Sequence, residues 1–523
     1  MKREIALRLT PKEASDAKYY KQQVALKMAV KPEAITEIRV IKRSIDARQK
    51  QVFVQLTVEA YANAPAPVVE MPVFEYPFVG NAPAVIVVGA GPGGLFAALR
   101  LIELGLKPVL LERGKPVSER KRDVAVLNRN QGLNPESNYA FGEGGAGTFS
   151  DGKLYTRSQK RGDFKRFTDI LRFHGASDDI AIDAHPHVGT DKLPGVIRNI
   201  RQTILEAGGQ VHFETRVDDL IIEDSSVKGV TTSKGDHIFA DAVVLATGHS
   251  AHDIYQMLND RAILLEAKTW AMGVRVEHPQ ELIDQIQYHT PEGRGDYLPA
   301  ASYSFTTQVA DRGVYSFCMC PGGFIVPAMT GPEQMVVNGM SPSKRNSPFA
   351  NSGMVVEIRP DDLGEYRQHG VLAGLMFQKE VERICYINGG KGVIAPAQGL
   401  EDFARGRLSF DLPECSYIPG LISSPLHFIL PEHISKRLQE GFKQFGKWAD
   451  GYLTNDAVVL GTESRTSSPV RIPRNPLTFE HIQIKGLFPC GEGAGYAGGI
   501  ASSAIDGGRC AEMVKAVVFD KSL

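Results

Sequence analysis

Four groups of residues in this chain have types and spacings that could do chemistry. Gly89, Gly91 and Gly94, with Gly93 beside them, follow the apolar run Val85 to Val88, and a second apolar run ends at Glu112. A strand, a glycine turn, a helix and a second strand closing on an acid form a βαβ unit suited to a dinucleotide. The first glycine permits the tight turn, the second lets backbone N–H groups approach a pyrophosphate at the positive helix end, and the third lets helix and strand pack closely. Glu112 can then accept hydrogen bonds from a ribose 2′-OH, and Glu112→Ala is expected to weaken nucleotide retention while leaving the fold intact.

The second group is the run Gly142 to Gly152, which contains Gly144, Gly145, Ala146 and Thr148 and also carries Glu143, Ser150, Asp151 and Lys153. Its glycines allow positive φ and close main-chain approach to a flat ligand. The third group is Glu463, Arg465 and Arg471, the candidate catalytic residues. An arginine can orient a carboxylate substrate through two parallel hydrogen bonds, yet arginines at domain junctions also serve as structural ion-pair partners, and both readings stay open. The fourth is Cys318-Met319-Cys320. On an extended strand the two thiols share a face at a Cα separation near the upper disulfide limit of roughly 7 Å, so a bridge would require a bend. Packed, reduced cysteines are the expectation, and His427 and His433 beside a proline turn read as structural.

These groups need elements to position them. The sequence reads as an N-terminal βαββ module over 1–60, with a helix from Pro11 to Ala29, and a semi-extended linker over 61–83. A first part of a nucleotide domain covers 84–261, a mixed substrate or cap domain 262–450, and the C-terminal part of the nucleotide domain 451–523. Strands are expected at Trp270 to Glu277, Val314 to Met319, Met335 to Met340 and Met354 to Ile358, and helices near Glu365 to Ile384 and Glu432 to Ala449. The fold class is therefore α/β, with a discontinuous Rossmann-like domain, an inserted mixed domain and a small N-terminal module.

Composition narrows the function classes. The chain has 523 residues, 43% of them hydrophobic, which suffices for more than one core. Lys and Arg total 59 against 60 Asp and Glu. That balance gives no general pull toward nucleic acid or an anionic membrane. The clusters Arg120-Lys121-Arg122 and Lys160-Arg161 read as solvated faces. Six cysteines lack paired CxxC spacing, so no zinc or iron–sulfur centre is expected. No apolar run is long enough to span a membrane, and charge interrupts the first residues too early for a secretory signal, so the expected location is the cytoplasm. The N-terminal module could mediate homo-oligomerisation or bind a protein partner, and a packing accessory is the plainer reading.

Three segments, Val85 to Gly94, Ala242 to Gly248 and Gly486 to Ala504, resemble in order and separation those of the glutathione-reductase-like flavoproteins. Phe141 to Leu154, Cys318 to Gly323, Thr462 to Arg471 and Lys42 to Arg48 extend the resemblance to a bacterial group described as FAD-dependent dehydrogenases or NAD(P)/FAD-dependent oxidoreductases. The resemblance implies noncovalent FAD, with the pyrophosphate at Gly89, Gly91, Gly93 and Gly94 and the adenosine at Glu112, Arg113 and Val217. It puts the Ala246-Thr247-Gly248 turn near the nucleotide, and Gly491 with Glu492 at the ribityl chain. Gly499, Ile500 and Ala501 would open a helix toward the flavin pyrimidine edge, and Gly144, Gly145, Ala146 and Thr148 would wrap the ring. Glu492 stands where the commonest form of the motif has a shorter aspartate. The implied activity is hydride transfer at flavin N5 to or from a small organic substrate. Electrons could come from NAD(P)H docked transiently, from the substrate or from another protein, since a second dinucleotide fingerprint is absent. A flavin-containing RNA-modifying protein and a nonenzymatic FAD sensor are the alternatives.

Overall fold

The computed structural model describes residues 1–68, 71–154 and 163–520. Lys160 and Arg161 lie outside the described residues. The glycine fingerprint opens a five-stranded parallel sheet in the order Leu487–Pro489, Val243–Leu245, Ala84–Val88, Lys107–Leu111, Gln210–His212. Such a sheet is covered on both faces, which explains why its strands are continuous apolar runs. Val85 and Val87 pack into one core with the helices Pro92–Glu103, Leu193–Glu206 and Ile500–Val514, while Ile86 and Val88 point into the opposite core. This is the expected α/β fold with a Rossmann-like sheet assembled from both ends of the chain.

The inserted region forms a seven-stranded mixed sheet in the order Thr306–Val309, Arg312–Cys320, Phe349–Ile358, Trp270–Pro279, Val458–Glu463, Ala395–Gly399, Leu421–Ser423. Its core is shared with the helices Ala373–Asn388 and Glu432–Trp448. The sequence assigns Val458–Glu463 to the C-terminal part of the nucleotide domain, but the strand pairs instead with Trp270–Pro279 and Ala395–Gly399. The expected helix from Glu365 is also different. A 3-10 segment, Pro360–Leu372, is interrupted at Gly364 (φ 51°) and Gly370 (φ 57°), and the α-helix begins only at Ala373.

The N-terminal module is an antiparallel sheet, Lys2–Leu9, Phe53–Ala62, Ile35–Asp46, in that spatial order, with its own core. The expected helix over 11–29 divides at Asp16, whose extended backbone ends Pro11–Ser15 and whose carboxylate accepts from the N–H groups of Lys18 (2.8 Å) and Tyr19 (3.2 Å) to start Ala17–Met28. Arg43 docks the module onto the nucleotide domain: its backbone exchanges hydrogen bonds with Ile182 and Ala184, and its guanidinium donates to Asp183 at 2.7 Å. The segment after the module is extended, yet it is more than a spacer. Phe74 and Tyr76 pack against Phe173, and Val79 is buried with its N–H on Ala207. Among the described residues no helix is long and apolar enough to cross a membrane.

Candidate functional site

The carboxyl ends of the parallel strands face the inserted sheet across a cleft with an empty volume, open mouth included, of about 1620 Å³. Open α/β sheets place their ligands at this edge. Gly89 has φ +101°, and a Cβ there would lie 2.5 Å from the Ala246 carbonyl oxygen. A Cβ on Gly94 would lie 1.9 Å from the Gly89 oxygen, so both positions exclude a side chain. Two long helices begin on this cleft, Pro92–Glu103 after Gly91 and Ile500–Val514 after Gly499, and neither has a side-chain cap. Their first-turn N–H groups therefore remain available to an anionic or electron-rich ligand.

Buried charges fix the main chain of the glycine wall. Glu112 accepts from the N–H groups of Ala90 (2.8 Å), Gly114 (2.9 Å) and Gly142 (2.9 Å), which ties three loops to one carboxylate. An ionised carboxylate has about four acceptor sites, so one stays open for a ribose hydroxyl. The expectation that Glu112→Ala leaves the fold intact is corrected by these bonds, because the variant would orphan three N–H groups. Arg120, expected on a solvated face, is fully buried. It donates to the carbonyls of Asn138, Tyr139, Gly142 and Glu143 and to Thr148 Oγ1, thereby fixing the shape of the glycine loop, while Lys121 and Arg122 are exposed. Burial lowers its guanidinium to about 10. Arg113 stacks over Phe141, 4.1 Å from the ring centre, and pairs with Glu136 and Asp253.

On the opposite side, Phe317, Cys318, Cys320, Asn338, Gly339, Arg465 and Thr466 line the cleft. Arg465 is held by Glu382 through Nε and Nη2, by Thr330 through Nη1 and by Gln334 through Nη2. Four of its five donors are thus engaged, and the fork-to-fork grip on a carboxylate substrate anticipated from the sequence is unavailable. Glu463 does not reach the cleft; it is buried and paired with the buried Arg275 at 2.7 Å. Arg471 is also outside the lining, 3.8 Å from Glu266 and beside the Tyr496 ring. Of the three catalytic candidates, only Arg465 stands in the cleft.

The cleft brings together Gly89, Gly91, Gly93, Glu112, Arg113, Gly145, Ala146, Val217, Ala246, Thr247, Gly248, Gly491, Glu492, Gly499 and Ile500. Gly94, Gly144, Thr148 and Ala501 stand behind it: Gly94 packs helix on strand, and Thr148 bonds Arg120 and the Glu143 carbonyl. Glu143 is buried on the Val117 N–H and Arg201, away from the lining, whereas Ser150, Asp151 and Lys153 do line it. His427 and His433 do not. Sequence reasoning missed His249, Ser250, Asn338 and Gly339. His249 could have been found, since it directly follows Gly248; Asn338 carries no local signal.

Glu492 faces His249 at 3.9 Å. Burial raises the Glu492 carboxyl to about 7, opposed by Lys268. Burial, together with Arg465 and Lys268, lowers His249 to about 4. Near neutral pH the imidazole is therefore uncharged and the carboxyl half-protonated, able to donate as well as accept. Cys490, Asp506 and Cys510 come within 4.8 Å of one another. The Asp506 carboxylate is occupied by both Nη groups of Arg474 and by the Gly491 N–H, so the cluster is organised as an ion pair under the loop.

These residues fit a dinucleotide. The two glycine loops approach so closely that a Cβ on Gly145 would stand 3.0 Å from the Gly91 Cα, leaving main chain and two uncapped helix ends as the ligand-facing surface. In sequence, residues 194–315 match the FAD dependent oxidoreductase family and residues 269–466 the family described as FAD-dependent protein, C-terminal domain-like. Residues 1–61 match a domain of unknown function. The chain is 39% identical over 519 residues to a protein of Clostridium beijerinckii described as uncharacterized, covering 95% of this chain and 96% of that one. It is 28% identical over 214 residues to the thiamine thiazole synthase of Aeropyrum pernix, covering 38% of this chain and 66% of that one. Among solved structures, a geranylgeranyl bacteriochlorophyll reductase-like protein from Thermoplasma acidophilum is 13% identical, covering 84% of this chain and 79% of that one, with a TM-score of 0.35. Glycine oxidase from Bacillus cereus is 14% identical, covering 84% of this chain and 96% of that one, with a TM-score of 0.30. The chain belongs to one family with the Clostridium beijerinckii protein, and by its matched domains it is a FAD-dependent oxidoreductase.

Proposed function

We propose that the chain holds one FAD noncovalently across the cleft and interconverts a small organic substrate with its oxidised or reduced form by hydride transfer at flavin N5. The observation that carries this reading is the pair of uncapped, glycine-opened helix ends on a single cleft. When bound, the flavin supplies the hydride chemistry, and the protein orients and tunes it. The Gly91 end of Pro92–Glu103 would take the pyrophosphate, Glu112 the adenosine ribose through its open acceptor site, and Glu492 a ribityl hydroxyl. The Gly499 end of Ile500–Val514 would face the pyrimidine edge, where its dipole stabilises negative charge developing on reduction. Lys153, Asn338 and the remaining Nη1 donor of Arg465 supply polar contacts to a substrate. The three segments Val85 to Gly94, Ala242 to Gly248 and Gly486 to Ala504 support kinship with the glutathione-reductase-like flavoproteins.

We infer that NAD(P)H, if it is the donor, docks transiently over the flavin, since one parallel nucleotide sheet is present among the described residues. Flavin release on denaturation followed by anaerobic stopped-flow mixing with NADH, NADPH and a metabolite panel tests both parts. Stoichiometric FAD freed without proteolysis and reduced by one donor class is the expected result. A preparation that cannot be loaded with FAD refutes the reading, and flavin that none of the donors reduces would favour a sensor.

A further inference from the structure

Cys318 and Cys320 depart from the arrangement an extended strand would give them. The pairing of Arg312–Cys320 with Phe349–Ile358 slips between Phe317 and Cys320, and Cys318 sits at φ +45°. A departure of this kind is what a pair two residues apart needs to form a bridge, because a flat strand holds such a pair near the upper limit of disulfide range. Both residues line the same cleft as the glycine loops, Cys318 exposed and Cys320 buried. Cys320 Sγ turns back to lie 3.2 Å from the Cys318 carbonyl oxygen. Two cations frame the pair. Arg275 Nη2 is 3.6 Å from Cys320 Sγ and donates to the Cys318 oxygen at 2.9 Å, and Lys153 donates to the Met319 carbonyl between them. Burial raises the Cys320 thiol, with Lys153 and Arg275 acting against it. The buried pairing with Glu463 holds Arg275 in place, which gives that glutamate a positioning role.

We propose that Cys318 and Cys320 are a redox-active pair that exchanges two electrons with the bound flavin and takes small dithiols or disulfides from the cleft mouth as exchange partners. In the oxidising direction both S–H bonds break, one Sγ–Sγ bond forms, and the two electrons and two protons released carry oxidised flavin to its fully reduced form. The reverse direction re-forms both thiols at the expense of reduced flavin. An incoming dithiol would open the bridge by thiolate attack on the exposed Cys318 sulfur, leaving its own disulfide as product.

The inference rests on the FAD reading, and an anaerobic dithionite titration of the air-oxidised holoenzyme separates the two. Uptake of four electrons per flavin is expected in the natural protein and two in Cys318→Ser or Cys320→Ser. Iodoacetamide followed by peptide mass analysis should label both cysteines only after reduction. Two electrons per flavin in the natural protein, with both thiols alkylated before reduction, overturns the pair while leaving the flavin reading intact. Four electrons retained in both variants overturns it as well, by locating the second centre elsewhere. A protein that cannot be loaded with FAD refutes both. Should a substitution impair FAD binding, the electron count and alkylation pattern of the natural protein still decide.

Discussion

The nucleotide side of the cleft is faced with main chain, whereas the side formed by the seven-stranded sheet is faced with side chains whose positions depend on buried ion pairs. On the first side, glycine loops present N–H groups and carbonyls, and the charged residues that shape them are buried, Glu112 at the lining and Arg120 behind it. On the second, Arg275 with Glu463 and Arg465 with Glu382 hold the groups that meet a ligand. A main-chain site must be written in glycine at fixed spacing, because any Cβ would fill it. A side-chain site can be assembled from residues far apart in sequence, so its members share no local pattern.

Breaking the side-chain wall should have the largest effect. Glu463→Ala leaves Arg275 charged and unpaired in a fully buried position, which should cost about 3–5 kcal/mol in urea unfolding. The double change Arg275→Met with Glu463→Leu should recover most of that loss, since two apolar groups need no partner. If Glu463→Ala alone were neutral, the wall would not depend on the pair.

Arg120→Met tests the main-chain wall. It removes donors from four carbonyls of the glycine loop and should cost about 3 kcal/mol together with a fall in flavin content measured by absorbance. Lys121→Ala, its exposed neighbour, should stay within about 0.5 kcal/mol and keep its flavin.

Glu492 sharpens the comparison at the junction of the walls. Burial raises its carboxyl from 4.5 to about 7, so the folded chain holds this proton to higher pH than the unfolded chain does. Its contribution is therefore complete below pH 4.5, is lost as pH climbs through about 7, and is constant above. The loss should be about 2 kcal/mol after allowing for partial exposure. Thermal melts from pH 4.5 to 8 should show that slope in the natural protein and a shallower one in Glu492→Gln. The smallest effect is expected for Arg471→Gln, whose ion pair with Glu266 is exposed and long: within about 0.5 kcal/mol, with unchanged flavin content.

The same contrast sets what could be read before the structure. The parallel sheet was legible because strands buried on both faces are unbroken apolar runs, and the cofactor wall because Gly89, Gly91 and Gly94 stand at the spacing a tight turn demands. The strand Val458–Glu463 was misplaced, since an apolar run does not record which sheet it joins. Arg120 looked like part of a solvated basic cluster because its four carbonyl partners follow it by some twenty residues and announce nothing. Glu463 and Arg471 were grouped with Arg465 by proximity in sequence, yet only Arg465 reaches the cleft.

What the sequence determined alone is the local conformational requirement: where the chain must turn without a Cβ, where a helix must begin uncapped, and which runs must be buried. Tertiary structure decided which charges meet. The pairing of Arg275 with Glu463, the fixing of the glycine loop by Arg120 and the slip in strand pairing at Cys318 each depend on contacts between distant segments. Burial decides their electrostatic worth, and burial exists only once the two sheets have closed on the cleft.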